Sequence, residues 1–345
     1  MLHDRKFAGC LLVGLLTAAV CLGEEQLHPV LRARDVVGSV TVQRAGTRRY
    51  QPVEADVTYA YGSTFRTEAD SSVRLEMSSE SAVLILPATE IVFAESTQDA
   101  RIKRVRLMRG EVEANLSAEF GESGYTLNIE SANSVAQARG TRYRVATRFE
   151  EGFHTVVIRV LAGLVRVLGE NFEVAEMGAD EWLSLVGPPD NSFLRLHVMR
   201  GAFDLTVKDA EKENQNVGLQ EGGVAKIWQQ IVPETGERVV SVHFINPAGE
   251  EYDSVSVTFA AGEVADFLAS IRDGGDDAAW GPAVEDRPAR RREVADGENP
   301  IPPDVFLDEL VDRLLEGLMP LAGRSPAIAV PRPPVRPTPT PVGNR

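Results

Sequence analysis

Val105-Arg106-Leu107-Met108-Arg109-Gly110-Glu111-Val112-Glu113-Ala114 is the stretch on which the fold turns. Apolar and charged residues alternate on both sides of a glycine. Alternation puts one face of a strand in a core and the other in water. A two-residue loop ending in glycine suits a primed turn, because glycine accepts positive φ at the second position. The stretch therefore predicts a hairpin in which Leu107 faces Val112, Val105 faces Ala114, and Arg106 pairs with Glu113 on the wet side. Arg200-Gly201 repeats the pattern, with Val198 facing Phe203, Leu196 facing Leu205, and His197 facing Asp204. Ala162-Gly163 repeats it again, pairing Val160 with Val165. That last register sets Arg159 opposite Arg166, an unfavourable contact. Together the three predict a β-meander.

The same period of two runs through Val73, Leu75 and Met77, through Tyr125, Leu127 and Ile129, and through Val255, Val257 and Phe259. Short strands separated by glycine-containing turns predict a mainly β chain, folded as an antiparallel sandwich, roll or barrel. The pattern ends after Phe259. Residues 261–272 have the composition of a short helix. Residues 273–303 are rich in Gly, Pro and mixed charge and read as a linker. Asp304 caps a second segment, residues 304–318, in which Leu307, Leu310, Val311, Leu314, Leu315 and Leu318 recur at helical spacing. Residues 324–345 are proline-rich and predict a disordered, extended tail.

The N-terminus carries Arg5 and Lys6, then an apolar run from Phe7 to Leu22. This is the pattern of a secretory signal over residues 1–23, with cleavage before Glu24. Two other readings stand: an uncleaved membrane anchor, and lipidation of Cys21, for which Ala18-Ala19-Val20 is a poor recognition box. Both cysteines, Cys10 and Cys21, belong to this segment. The exported chain then has no disulfide and no cysteine-type zinc site. A formal net charge of −15 over 345 residues opposes binding to nucleic acid or anionic lipid and favours solubility. Membrane contact is expected only through an uncleaved N-terminal segment.

Several motifs follow one another in a recognisable order. Val37-Gly38-Ser39-Val40 opens, and Tyr61-Gly62-Ser63-Thr64-Phe65-Arg66-Thr67-Glu68-Ala69-Asp70-Ser71-Ser72-Val73-Arg74-Leu75 follows. Then come Leu107-Met108-Arg109-Gly110-Glu111-Val112, Ala138-Arg139-Gly140-Thr141-Arg142-Tyr143-Arg144-Val145, the Val160 to Val167 segment, and Met177-Gly178-Ala179-Asp180-Glu181. In this order the stretch 36–186 resembles the FecR domain. It departs from the pattern at Ser63, where Asp is usual, and at Tyr50, where Trp often stands. The resemblance implies an all-β jelly-roll or folded-sheet module outside a membrane. In iron-uptake members that module reports to an anti-sigma segment inside the cell. Only Met1 to Lys6 precede the apolar run here, so fold and location are expected to carry over and the transcriptional role is not. Residues 190–260 are expected to extend the domain or to form a small second β unit.

No catalytic or cofactor motif is present: His3, His28, His154, His197 and His243 stand apart, and no nucleophile elbow or phosphate loop occurs. The chain is expected not to be an enzyme and to need no cofactor or metal. Arg101, Lys103, Arg104, Arg106 and Arg109 form a basic run in an acidic chain, and the structural account of it is a solvated sheet face paired with Glu111 and Glu113. Gly140 in Arg139-Gly140-Thr141 is read first as a backbone requirement. The possible binding face is Arg104, Arg106, Arg139, Arg142 and Arg144. The expected function is a non-catalytic binding or scaffolding module in the periplasm, on the cell surface or secreted, with an envelope protein or a surface polysaccharide as partner. The alternatives are a component of a FecR-type transmembrane signalling system and a polysaccharide-active enzyme using an acidic pair.

Overall fold

A computed structural model describes residues 30–94, 101–132, 134–208 and 214–260. The expected signal segment 1–23, the helical stretch 261–272, the linker 273–303, the amphipathic helix 304–318 and the tail 324–345 lie outside the described residues. Within them the chain is mainly β.

The strands, in chain order, are β1 (Val30–Val37), β2 (Val40–Gln43), β3 (Tyr50–Pro52), β4 (Thr58–Ala60), β5 (Thr64–Thr67), β6 (Ser72–Glu76), β7 (Ala82–Ile85) and β8 (Glu90–Ala94). A long strand β9 (Ile102–Asn115) and a single-turn helix α1 (Ala118–Glu122) follow. Then come β10 (Thr126–Ser131), β11 (Ser134–Ala138), β12 (Arg142–Glu150), β13 (Phe153–Ala162), β14 (Val165–Leu168), β15 (Phe172–Met177) and β16 (Trp182–Gly187). The last are β17 (Phe193–Arg200), β18 (Ala202–Val207), β19 (Gln215–Gln220), β20 (Val224–Ile231), β21 (Arg238–Ile245) and β22 (Glu251–Phe259).

These strands form two facing sheets. Sheet I runs β4-β1-β6-β7-β9-β12-β13-β16-β17-β20-β21-β22. Sheet II runs β3-β2-β5-β8-β9-β10-β11-β14-β15-β18-β19. β9 belongs to both. Its first part pairs with β8 and β10 in sheet II, and its last part, from Gly110, pairs with β7 and β12 in sheet I. The strand is bent at Arg109-Gly110, and so is the whole sheet. Most strands of sheet I are continued, across a crease, by a strand of sheet II: β1 by β2, β6 by β5, β7 by β8, β12 by β11, β13 by β14, β16 by β15, β17 by β18 and β20 by β19.

Residues with positive φ mark this crease: Asp70, Ala88, Gly110, Gly140, Gly163, Asp180, Gly201 and Gly222. At Gly110 the requirement is double. Its φ is +88°, and a Cβ there would lie 2.6 Å from the Cα of Thr89 on the neighbouring bent strand. Thr89 fixes that approach, since its Oγ1 accepts from the N–H of Glu111 at 2.9 Å.

The three expected hairpins are therefore corrected. Ala162-Gly163 and Arg200-Gly201 do not reverse the chain beside itself. They carry it from one sheet to the other, as Arg109-Gly110 does within β9. The reason the sequence misleads is geometric. In a hairpin or in a fold across two sheets, Val105, Leu107, Val112 and Ala114 all reach the same core, so the apolar alternation is identical. Leu107 is in fact opposite Ile91, and Val112 lies between Ile85 and Val145. Val198 is opposite Leu183, and Phe203 is opposite Leu219. The Arg159 and Arg166 clash disappears, because the two lie on different sheets and Arg166 pairs with Glu173.

The inward residues of both sheets make one continuous apolar core from Leu31 to Phe259, with Phe65, Phe93, Phe120, Tyr143, Phe172 and Phe244 as its largest fully buried members. α1 closes it at one point. Ser117 caps the helix, its Oγ accepting from the N–H of Phe120 at 3.1 Å, and Phe120 is buried. This connection also explains the parallel pair β9/β10, since a parallel neighbour requires the chain to cross over before it re-enters the sheet. β17 joins β16, and β18 joins β15, so residues 193–259 continue both sheets.

Candidate functional site

The outer face of sheet I carries a dense group of charges. β9 and β12 are neighbours there, with Glu113 opposite Arg144 and Glu111 opposite Ala146. Glu111 and Glu113 are two residues apart on one strand, so both carboxylates point to the same side. Arg142 and Arg144 do the same from β12. One Glu113 oxygen lies 2.6 Å from a terminal guanidinium nitrogen of Arg142, and the other 2.6 Å from one of Arg144. Arg144 also reaches Glu111 at 3.4 Å. Arg159, from β13, is directly opposite Arg144 and stacks 4.2 Å above the ring of Trp182 from β16.

Burial dominates the electrostatics of Glu111. It pushes the carboxyl up to about 7, against the opposing pull of Arg144, and the nearby Glu113 adds to the rise. Arg159 is lowered, first by desolvation and then by the repulsion of Arg144. The cluster thus holds a carboxyl poised between its charged and neutral forms, inside a set of ion pairs that fix its position.

Along the same face, toward β21, the charges give way to a strip of aromatic and basic side chains. Phe193 and Trp228 have ring centroids 5.4 Å apart, and Trp228 meets His243 edge-on at 5.0 Å. Arg195 is opposite Val186 on one side and Lys226 on the other. Sequence reasoning did not single out this strip. The signal was present as alternation in Phe193-Leu194-Arg195-Leu196-His197, but only the strand pairing brings it beside Lys226 and Trp228.

The five arginines expected to form one binding face do not share a face. Arg142 and Arg144 lie on the outer side of sheet I. Arg104 and Arg106 lie on the outer side of sheet II, because Val105 and Leu107 between them enter the core. Arg104 is buried against Glu130 at 2.6 Å, and Arg106 is 3.6 Å from the same carboxylate. Arg139 sits at the crease, its Nε donating to Thr126 Oγ1 at 2.9 Å. The basic run 101–109 does not pair with Glu111 and Glu113 as expected. Within it Arg104 and Arg106 pair with Glu130, and Arg109 pairs with Glu90. Gly140 has φ +59° at a sheet crossing, and the Thr141 hydroxyl, with one proton to donate, lies 2.9 Å from the carbonyl of Leu164 and 3.0 Å from that of Arg139. That motif holds the crease together.

Among the described residues, no group of three or more His, Cys, Asp or Glu comes together to hold a metal ion. Among the same residues no helix is long and apolar enough to cross a membrane.

No curated protein matches the chain in sequence. Two crystal structures of a candidate anti-sigma factor from Parabacteroides distasonis ATCC 8503 are similar to it at 12% identity and a TM-score of 0.31. One match covers 50% of this chain and 70% of that one, and the other 61% and 90%. The family model described as FecR protein matches residues 63–166, from the crossing before β5 to the middle of β14. Residues 63–166 are thus a FecR domain, and this domain is the central part of the folded sheet.

Proposed function

We propose that this protein is a non-catalytic, extracytoplasmic binding module that holds an envelope protein within a FecR-type signalling system. The observation that carries the reading is the FecR segment at 63–166, built into a larger sheet that ends in a long, regular edge strand. At one end of the molecule the edges are blunted: β3 and β4 have three residues each, and β3 contains Pro52. At the other, β22 has nine residues and no proline, and among the described residues it pairs only with β21. Tyr252 on it is exposed. A long unpaired edge is a template for a partner strand. Glu113 is held on both oxygens by Arg142 and Arg144, which favours a structural role for this cluster.

In-cell crosslinking of the tagged full-length protein, with mass spectrometry of partners and of the mature N-terminus, tests this. The expected result is a defined envelope-protein partner crosslinked near β22 and a chain beginning at Glu24. Retention on surface polymer without a protein partner, or a turnover lost on substitution of Glu111, would overturn it.

A further inference from the structure

The outer face of sheet I holds residues that have no reason to be dry. In β13, β16, β17 and β20 the inward positions are Val156, Ile158, Leu183, Leu185, Leu194, Leu196, Ala225 and Ile227, all in the main core. The alternate positions point away from that core. Yet Ser184 is 0% exposed, Val186 1%, Val157 6% and Lys226 6%. Ala146, Val157 and Trp182 form a separate apolar cluster on this outer side. The buried patch runs from β9 to β20, six adjacent strands of sheet I, or about 24 Å at the usual strand spacing. Toward β22 it ends, and Ser256 and Thr258 are exposed.

We propose that residues 304–318 form an acidic amphipathic helix docked on this patch. Three observations select that segment. The first is charge. The outward positions of β13, β16, β17 and β20 carry Arg159, Arg195, His197 and Lys226 and no carboxylate, in a chain of net charge −15. Residues 304–318 carry Asp304, Asp308, Glu309, Asp312 and Glu316 against Arg313 alone. The second is hydrogen bonding. Ser184 Oγ, Thr155 Oγ1 and Trp182 Nε1 are buried donors without an acceptor among the described residues, and buried donors are ordinarily satisfied. Carboxylates along one side of the helix supply acceptors, while its leucine stripe covers Val157, Val186 and Phe193. The third is size. A helix over 304–318 is about 22 Å long, and the chain between Phe259 and Asp304 can extend to roughly 140 Å, ample to reach the patch from the end of β22.

Trp182 and Trp228 lie on the patch, so with Trp280→Phe the full-length chain reports its own cover. Acrylamide quenching is compared between this parent and the double variant Leu310→Asp/Leu314→Asp, which leaves every sandwich residue intact. The expected result is a severalfold rise in quenching with an unchanged far-ultraviolet circular dichroism transition. Equal quenching in the two proteins would overturn the proposal. A second measurement uses Ser184→Cys with Leu314→Cys in a background with Cys10 and Cys21 replaced. An intramolecular disulfide supports docking. An intermolecular one assigns the cover to a second copy and overturns it, and so does no disulfide at all.

Discussion

Gly110 and Glu111 are adjacent and answer to different physics. A side chain at Gly110 meets backbone, the Cα of Thr89 at 2.6 Å, in a left-handed conformation. Gly152 also has positive φ, but nothing lies within 4 Å of its missing Cβ. Gly152→Ala should therefore cost about 1–2 kcal/mol, the conformational penalty alone. Gly110→Ala should cost clearly more, because the bent strands must also move apart. Urea denaturation of the two variants compares them directly. At Glu111 the folded carboxyl is raised to about 7 from an ordinary 4.5. A raised carboxyl stabilises the fold fully below the ordinary value, and that contribution is lost as pH rises through the folded one. Relative to Glu111→Gln, the parent should lose on the order of 1–3 kcal/mol between pH 4.5 and pH 8. Denaturation curves of both proteins at the two pH values measure the difference, and parallel pH profiles would contradict it.

At the scale of the element, the bent strand replaces the hairpin. Val92 and Arg106 are cross-strand partners on the outer side of sheet II, whereas Arg106 and Glu113 stand on opposite outer faces. Val92→Cys/Arg106→Cys should form a disulfide on mild oxidation, and Arg106→Cys/Glu113→Cys should not. Mass spectrometry of proteolytic fragments reads the outcome. The same comparison marks what was legible in the sequence. Strand content, inward residues and the glycine positions could be read, because period-two alternation depends only on which side chains are apolar. The partner of each strand could not, because Leu107 and Val112 satisfy one core whether they are neighbours or face each other across it. The candidate site inherits the difference. The sequence places Arg142 and Arg144 only among five arginines of one face, and it gives their acids, Glu111 and Glu113, to the basic run 101–109. The aromatic strip from Phe193 to His243 needs three strands in register before it exists at all.

At the scale of the whole molecule, the FecR match ends inside β14, where no interruption of the sheets occurs. β14 pairs with β11 and β15, and the core is shared from Leu31 to Phe259. The folded sheet should therefore unfold in one transition. With Trp280→Phe, Trp182 and Trp228 report the later strands by fluorescence, while circular dichroism reports all of them, so coincident thermal curves are expected. Separated curves would indicate two units. A chain cut after Gly187 should aggregate, since it strips β17 and β18 from β16 and β15 and opens Leu183, Leu185 and Val174 to water.

The order of sheet I places β1 and β22 ten strand spacings apart, about 48 Å. A pull applied between these two strands acts across the ladder, at right angles to the chain direction. Loaded that way, hydrogen bonds part in sequence, each pair of strands peeling before the next is stressed. The molecule would thus yield to small forces in steps, lengthening by one strand at a time from its β22 end, and would behave under tension as an extensible tether between whatever its two ends hold.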